Sequence, residues 1–186
     1  VASGGLGDVY KRQEENKNKK LELISQIESF PSGKTPESIT VIQIVKFLKS
    51  VHEKWKIFSP VPDKDFQDLN KKFRESREGI NVLLAGVEDF NKSQKEALIE
   101  EVKNLSMEEI DETVEKIREL QDQWRTLGPA GKKLDPEINK IFDDECNKFL
   151  MVKDKELDES RGLMEEIIKL LRDKQLAPSE AEEKFK

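Results

Sequence analysis

Two side-chain types that catalysis and metal binding often require, cysteine and histidine, each occur once in this 186-residue chain. The single cysteine, Cys146, excludes an intramolecular disulfide and a thiolate-clustered zinc site. The single histidine, His52, excludes His-pair metal motifs, and any Ser–His or Cys–His machinery would have to be built on it. His52 lies off the apolar stripe of its segment, so we expect a solvated side chain. The sequence therefore predicts no catalytic residue, no cofactor and no metal site.

A glycine-rich stretch lies in residues 1–13, which read VASGGLGDVYKRQ. Its GLGDV run is similar to part of the phosphate loop of protein kinases, but the third glycine is missing and the other kinase motifs do not follow. The stretch more closely resembles the SGGLGDVYKRQ tail that arises when linker sequence in metagenomic assemblies is translated. We therefore expect residues 1–13 to be an artefact or a disordered tail.

The composition of the full chain is typical of long helices. Charged residues make up 39% and hydrophobic residues 35%, with a net charge of −6, whereas a typical globular domain has about 25% charged residues. The acidic balance argues against non-specific binding of nucleic acid, and the chain lacks the 18-residue apolar run of a membrane span. Apolar residues recur every three or four positions, as from Ile39 to Trp55. We predict an all-α, elongated fold with long antiparallel helices that resemble a coiled coil.

Two copies of one pattern lie 69 residues apart. Each has an amphipathic segment that ends in a tryptophan, a proline five residues later, and then a Leu/Ile-Asn-Lys-x-Phe core. The motif residues are Trp55, Pro60, Leu69 and Phe73 in the first copy and Trp124, Gly128, Pro129, Ile138 and Phe142 in the second. Cys146 aligns with Arg77 in this register, so we do not expect it to be a required nucleophile.

A shorter shared piece, a Leu-Ile or Leu-Met pair followed by further apolar residues, begins at Leu23, Leu98 and Leu163. It adds the start of a third unit. The sequence thus predicts tandem helical units, each stacked on its neighbours. Their predicted limits are 14–92 for the first repeat, 93–159 for the second and 160–186 for the start of a truncated third.

Two helix limits follow from local signals. Thr35 and Pro36 are expected to cap and begin the helix that ends near Trp55. A second helix is expected to begin at Asp63. If the pattern continues to Leu105, the helix has about 40 residues or a length of about 60 Å, whereas Gly79, Gly86 and residues 91–93 favour an interruption.

The repeat resembles the bacterial domain of unknown function numbered 349. The resemblance rests on LQDQWRTLGP in the second copy (120–129), and on WKIFSPVP (55–62) and LNKKFR (69–74) in the first. Ser59 replaces the glycine of the pattern in the first copy, and both copies have asparagine in place of its second tryptophan. The resemblance implies a tandem, all-helical, cytoplasmic bacterial protein, and it carries no established activity.

The tryptophans and the basic residues that follow them are the remaining candidates for a binding role. Trp55 and Trp124 are expected to lock a helix–helix corner, with a role as binding anchors as the alternative. Lys56 and Arg125 are candidate contacts for an anion, although a basic residue near a helix C-terminus also suits the helix dipole. Residues 44–78 hold nine basic and six acidic side chains and residues 113–147 hold six and eight, which argues against a nucleic-acid surface shared by the copies.

Taken together, these patterns predict a non-enzymatic helical-repeat scaffold or protein-interaction module, located in the cytoplasm, with an unidentified protein partner. An RNA- or ribosome-associated helical protein is the alternative, and an enzyme of unknown type is the second alternative. We expect no membrane and no metal among the partners.

Overall fold

The computed structural model describes the backbone of residues 3–184 and the side chains of residues 4–174. Within this range the chain forms six helices and no β-strand, which confirms the all-α prediction. The helices are α1 (Ser3–Ser29), α2 (Val41–Ile57), α3 (Asp63–Ser76), α4 (Glu78–Lys103), α5 (Ile110–Thr126) and α6 (Asp135–Lys184). Helix α1 begins inside residues 1–13, the segment expected to be an artefact or a disordered tail.

The described residues form two compact units. Unit 1 comprises Val1–Glu96 with Thr126–Pro136, and unit 2 comprises Ala97–Arg125 with Glu137–Lys186. The predicted repeat limits at 92 and 159, and the repeat itself, remain predictions.

The core of unit 1 is built from one apolar face each of α1, α2, α3 and the first half of α4. Helix α1 contacts both α2 and α3. The buried residues of these helices are Leu23, Ile24, Ile27, Ile44, Val51, Trp55, Leu69, Phe73, Ile80, Leu83 and Val87. Within each helix they follow the three- and four-residue steps that place side chains on one face.

The connection between α1 and α2 packs closely on α4. A Cβ atom added at Gly79 would lie 3.3 Å from Cγ of Pro31, and one added at Gly86 would lie 3.1 Å from Cγ of Pro36. The two glycines weaken the helix propensity of α4. Their lack of a side chain allows the proline-containing connection to approach the helix.

The predicted start of α2 at Thr35–Pro36 is wrong. The helix begins at Val41 with Thr40 as its N-cap, because Thr40 and Gln43 form a capping box. The Oγ1 of Thr40 accepts a hydrogen bond from the Gln43 backbone N–H at 3.3 Å, and Oε1 of Gln43 accepts one from the Thr40 backbone N–H at 2.9 Å.

The single helix predicted from Asp63 to Leu105 is also wrong, because the chain forms α3 and α4 with a break at Arg77. Ser76, in the last turn of α3, donates its hydroxyl hydrogen to the Phe73 carbonyl at 2.9 Å. A bond of this kind gives the backbone a local alternative to helix continuation.

The core of unit 2 lies among the end of α4, α5 and α6. Its buried residues are Leu98, Ile99, Val102, Ile110, Val114, Ile117, Leu120, Ile138, Phe142, Cys146 and Phe149. Lys153 of α6 forms an ion pair with Asp111 at the start of α5, whereas Phe142, near the start of α6, stacks on Trp124 at the end of α5. Helices α5 and α6 are therefore antiparallel.

Candidate functional site: the tryptophan–proline corner and the exposed face of helix α6

The first corner consists of Asn16, Lys20, Trp55, Pro60 and Phe73 in unit 1. Trp55 is 8% exposed and stacks on Phe73, with ring centroids 4.1 Å apart and an interplanar angle of 20°. The Nζ atom of Lys20 lies 4.4 Å from the centroid of the Trp55 ring. The Asn16 side chain donates a hydrogen bond from Nδ2 to the Pro60 carbonyl at 2.9 Å. Helix α1 therefore contacts both the end of α2 and the loop that follows it.

Lys20 is a buried ammonium group with a 3% exposed side chain. Its Nζ donates to Oγ of Ser59 at 3.3 Å. Burial lowers the pKa of Lys20, because the charged form loses hydration. The face of the Trp55 ring and the serine oxygen replace part of that hydration.

A matching set of hydrogen bonds lies elsewhere in unit 1. The Nδ2 atom of Asn91 donates to the Pro129 carbonyl at 2.9 Å. The buried Nζ of Lys95 lies 2.9 Å from Oδ1 of Asp135, which also accepts the Ala130 backbone N–H at 2.9 Å. Burial opposes ionisation of Asp135, but the hydrogen bonds from Ala130 and Lys95 hold the pKa of this carboxyl below its usual value.

Unit 2 contains the second tryptophan stack. The rings of Trp124 and Phe142 lie 4.0 Å apart with an interplanar angle of 8°. Trp124 is half-buried and Phe142 is buried. In both copies of the motif the tryptophan therefore stacks on the phenylalanine 18 residues later, and both rings lie at a contact between two helices. Leu69 and Ile138, the apolar residues that precede each phenylalanine, are buried as well.

The prolines of the motif are exposed, and the residue before each proline lies close to a polar side chain of the corner. A Cβ atom added at Gly128 would lie 2.6 Å from Nδ2 of Asn91. Glycine at this position therefore leaves room for the Asn91 amide that bonds to Pro129. Ser59, the matching residue of the first copy, carries a side chain that accepts a hydrogen bond from Lys20.

The predicted anion contacts Lys56 and Arg125 are exposed side chains on α2 and α5. Arg125 forms an ion pair with Asp122, with 2.8 Å between its guanidinium nitrogen and the carboxylate oxygen. Because both partners are largely exposed, this pair contributes little stability. The structure does not bring Lys56 and Arg125 together in one unit.

Sequence reasoning missed the asparagine and lysine residues of the corners. The signal was present, because Leu23 and Leu98 begin the shorter shared piece and lie 75 residues apart. Extending that register upstream by three residues pairs Lys20 with Lys95. Extending it by seven pairs Asn16 with Asn91, and each pair makes related contacts in the structure.

The reactive side-chain types are placed unfavourably for catalysis. Burial, with added repulsion from Asp143 and Glu145, raises the pKa of Cys146 to about 11, so its thiol is protonated at neutral pH. His52 is exposed on α2. Within the described side chains, His, Cys, Asp and Glu form no cluster of three that could hold a metal ion. None of the described helices has the length and apolar character needed to cross a membrane.

The second half of α6 presents a different kind of surface. Every residue from 154 to 174 is exposed. The large apolar residues of this stretch are Leu157, Leu163, Met164, Ile167, Ile168, Leu170 and Leu171. At 100° per residue these side chains occupy one side of the helix, and most of the charged side chains occupy the other. We call these seven residues the α6 face.

Helix α2 carries the main exposed basic surface of unit 1. Four lysines and one glutamate are exposed on it, and they are Lys46, Lys49, Lys54, Lys56 and Glu53. Two apolar residues, Ile42 and Val45, are exposed on the same helix.

These features define a class: an all-helical protein with two compact units, in which a stacked tryptophan and phenylalanine recur at matched spacing. Residues 63–133, from the first residue of α3 to the loop after α5, match the family described as Domain of Unknown Function (DUF349). This match confirms, over these residues, the resemblance predicted from the tryptophan–proline motif. No curated protein and no solved structure matches the chain.

Proposed function

We propose that this chain is a non-enzymatic helical scaffold that binds a protein partner through the α6 face. The observation that carries the proposal is the continuous exposure of residues 154–174 together with the segregation of their apolar side chains. In proteins most of the stability of a helix comes from tertiary packing of its amphipathic face, and this stretch has no such packing within the chain. A contiguous apolar patch on a soluble protein commonly marks an interaction surface.

The size of the surface is adequate for specific binding. The seven apolar side chains are between 44% and 61% exposed. Full burial of such a side chain contributes about 1.5–3 kcal/mol, so covering the exposed half contributes about 1 kcal/mol each. The gross gain of about 7 kcal/mol must offset the entropy lost on association. Docking of one partner helix would therefore give moderate rather than very tight affinity.

The same sequence pattern is buried at its other two occurrences in the chain, which supports the proposal that a partner covers the α6 face. Leu23, Ile24 and Ile27 are 3%, 7% and 0% exposed in unit 1, and Leu98, Ile99 and Val102 are 9%, 5% and 0% exposed in unit 2. Leu163, Met164 and Ile167 of α6 are 61%, 60% and 51% exposed. The pattern that forms core twice is exposed at its third occurrence.

The absence of catalysis is part of the proposal. It is supported by the protonated, buried thiol of Cys146 and by the exposed position of His52. The matched tryptophan stacks support the tandem-repeat organisation, and the family resemblance supports a bacterial, cytoplasmic setting.

Capture of partners from a nuclease-treated bacterial lysate tests the proposal. We expect the tagged chain to retain bound protein that Ile167→Glu/Leu171→Glu loses, because two charges on the α6 face oppose its burial. Val82→Glu, at a residue of α4 that is 65% exposed, is the matched control and should retain the partner. Equal retention by the α6 variant, or no specific capture by the unmodified chain, would contradict the proposal.

An RNA- or ribosome-associated role is the second candidate, and the basic surface of α2 favours it. The four exposed lysines and one glutamate give this helix a local charge of +3. If it binds RNA, affinity should fall steeply with salt, and Lys49→Glu/Lys56→Glu should remove it. Absence of RNA binding at about 50 mM salt would reject this candidate.

A further inference from the structure

The two buried lysines of unit 1 differ in whether a carboxylate lies beside them. In the matching set around Lys95, Oδ1 of Asp135 lies 2.9 Å from Nζ of Lys95 and accepts the Ala130 backbone N–H at 2.9 Å. A hydrogen bond from the Gly131 backbone also lowers the pKa of this carboxyl. One carboxylate therefore joins a buried ammonium group to two backbone donors of the loop that follows the tryptophan helix.

The first corner has no such carboxylate in the chain. The 69-residue register of the motif places Phe66 at the position of Asp135, and a phenyl ring offers no charged acceptor. Lys20 has Oγ of Ser59 at 3.3 Å and the face of the Trp55 ring as its partners, and it forms no ion pair within the part of the chain that the structure describes. An ammonium group has three N–H donors, so one neutral oxygen leaves donors for a further acceptor.

The loop of the first corner also supplies a backbone donor. Val61 aligns with Ala130 in the same register and is 6% exposed. Among the described residues, none accepts a hydrogen bond from the Val61 backbone N–H. The loop is anchored as in the matching set, because the Asn16 side chain donates to the Pro60 carbonyl at 2.9 Å. A buried N–H without an acceptor costs free energy, and an anion at this point would supply the acceptor.

We infer that the first corner binds a small carboxylate ion between Nζ of Lys20 and the backbone N–H of Val61. The ion takes the place that the Asp135 carboxylate has in the matching set, and it accepts two hydrogen bonds, of which the one from the ammonium is charge-assisted. Lys20, Trp55 and Val61 are 3%, 8% and 6% exposed, so the site suits an ion of the size of formate or acetate rather than an acidic side chain of a partner protein. The inference goes beyond the proposed function, because the α6 face is not part of this site.

The charges around the first corner favour an anion. The Nζ atom of Lys19 lies 5.5 Å from the centroid of the Phe58 ring, next to the loop, and this lysine forms no ion pair among the residues described. Asp65 is the acidic residue closest in sequence to Phe66, and it pairs with Lys17 at 3.0 Å. Its charge is therefore balanced by a different lysine, and the ammonium of Lys20 keeps its own charge without a counter-ion from the chain.

Replacement of chloride by acetate at constant ionic strength and neutral pH tests the site through urea unfolding of the full chain. A ligand that binds only the folded chain lowers the unfolding equilibrium constant by one plus the ratio of its free concentration to its dissociation constant. Pro62 takes the position of Gly131 and has no N–H, so one backbone donor is missing and we expect a dissociation constant of about 1–10 mM. Acetate at ten times this value should lower the unfolding constant about elevenfold.

Substitutions separate the site from a general salt effect. Lys20→Met removes the ammonium and should abolish the saturable acetate response, whereas Lys49→Met, at an exposed lysine of α2, should keep it. Phe66→Asp places a carboxylate in the chain at the position of Asp135 and should weaken the response, because it competes with acetate. Nuclear magnetic resonance gives a direct signal, since the Val61 amide proton should shift downfield with the same dissociation constant.

Each outcome decides the inference. No response to the exchange of chloride for acetate, or an equal response in the unmodified chain and Lys20→Met, would overturn it. A Val61 amide that stays unchanged at saturating acetate would overturn it as well, because the ion would then bind elsewhere. A response to bulky pivalate equal to the response to acetate would contradict a buried site. The lysate capture through the α6 face is independent of all these results.

Discussion

Replacement of Trp55 by alanine is the sharpest test of the corner in unit 1. The side chain is 8% exposed, so its removal creates a cavity in the core, at a typical cost of about 3–5 kcal/mol. The change also removes the stack on Phe73 and the ring face below the Lys20 ammonium, which are each worth about 1 kcal/mol. These contributions overlap, so we expect a loss of about 4–5 kcal/mol in the free energy of unfolding. Trp55→Phe keeps a ring on Phe73 and should lose only about 1–2 kcal/mol.

Urea unfolding followed by two signals measures this loss. Far-UV circular dichroism reports all the helices, whereas in Trp55→Ala the remaining tryptophan, Trp124, reports unit 2. Coincidence of the two curves shows whether a two-state free energy is justified. Val82→Ala, at an exposed residue of α4, is the control and should change the free energy by less than about 0.5 kcal/mol.

A loss below about 1 kcal/mol for Trp55→Ala would refute the assignment of this residue to the core. It would favour the alternative in which the tryptophan is a binding anchor. The same reasoning fails if Trp55→Phe is as damaging as Trp55→Ala, because the stack and the burial would then not be the source of stability.

Three further predictions concern polar side chains of the two units. Lys20→Met should raise the free energy of unfolding at neutral pH, because it removes a buried charge whose pKa is lowered in the folded chain. The unfolded chain binds more protons than the folded chain as pH approaches the ordinary value of 10.5, so the advantage of the variant should shrink towards that pH. A difference that does not change with pH in paired urea titrations would contradict this prediction. Asn91→Ala removes the donor to the Pro129 carbonyl and should cost about 1 kcal/mol in thermal or urea unfolding, whereas no loss would show that water replaces the bond. Cys146, whose pKa is raised to about 11, should resist an aromatic disulfide reagent at pH 8 until denaturant is added, and rapid stoichiometric labelling of the native chain would argue against its burial.

The sequence predicted the elements whose signals are local or periodic. Helical periodicity identified the all-α fold, and the spacing of Trp55 and Phe73 identified a recurring pair. The residues at which helices begin and end were harder to predict, because neighbouring residues offer competing caps and stops. The cap at Thr40 competes with a plausible start at Thr35, and the break after Ser76 coincides with a hydrogen bond from its hydroxyl to the Phe73 carbonyl.

Two other features depend on tertiary contacts, which local sequence signals do not predict. Asn16 and Lys20 look like ordinary polar residues of a charged helix, and only their packing against Trp55 and Pro60 gives them a role. The periodicity of the α6 face equally predicts a buried stripe. Periodicity indicates which side chains share a face, but it does not indicate whether a second element covers that face.

The two buried lysines have different polar partners, and this has a consequence for how each corner responds to substitution. Lys20 is held by the hydroxyl of Ser59, whereas Lys95 is held by the carboxylate of Asp135. The position of Ser59 corresponds to Gly128, where an added side chain would require the Asn91 amide to shift. Gly128→Ser is therefore expected to disturb the bond from Asn91 to the Pro129 carbonyl, whereas Ser59→Gly would remove the oxygen that accepts from Lys20. Transfer of either residue to the other corner is therefore expected to lower the stability of the corner that receives it.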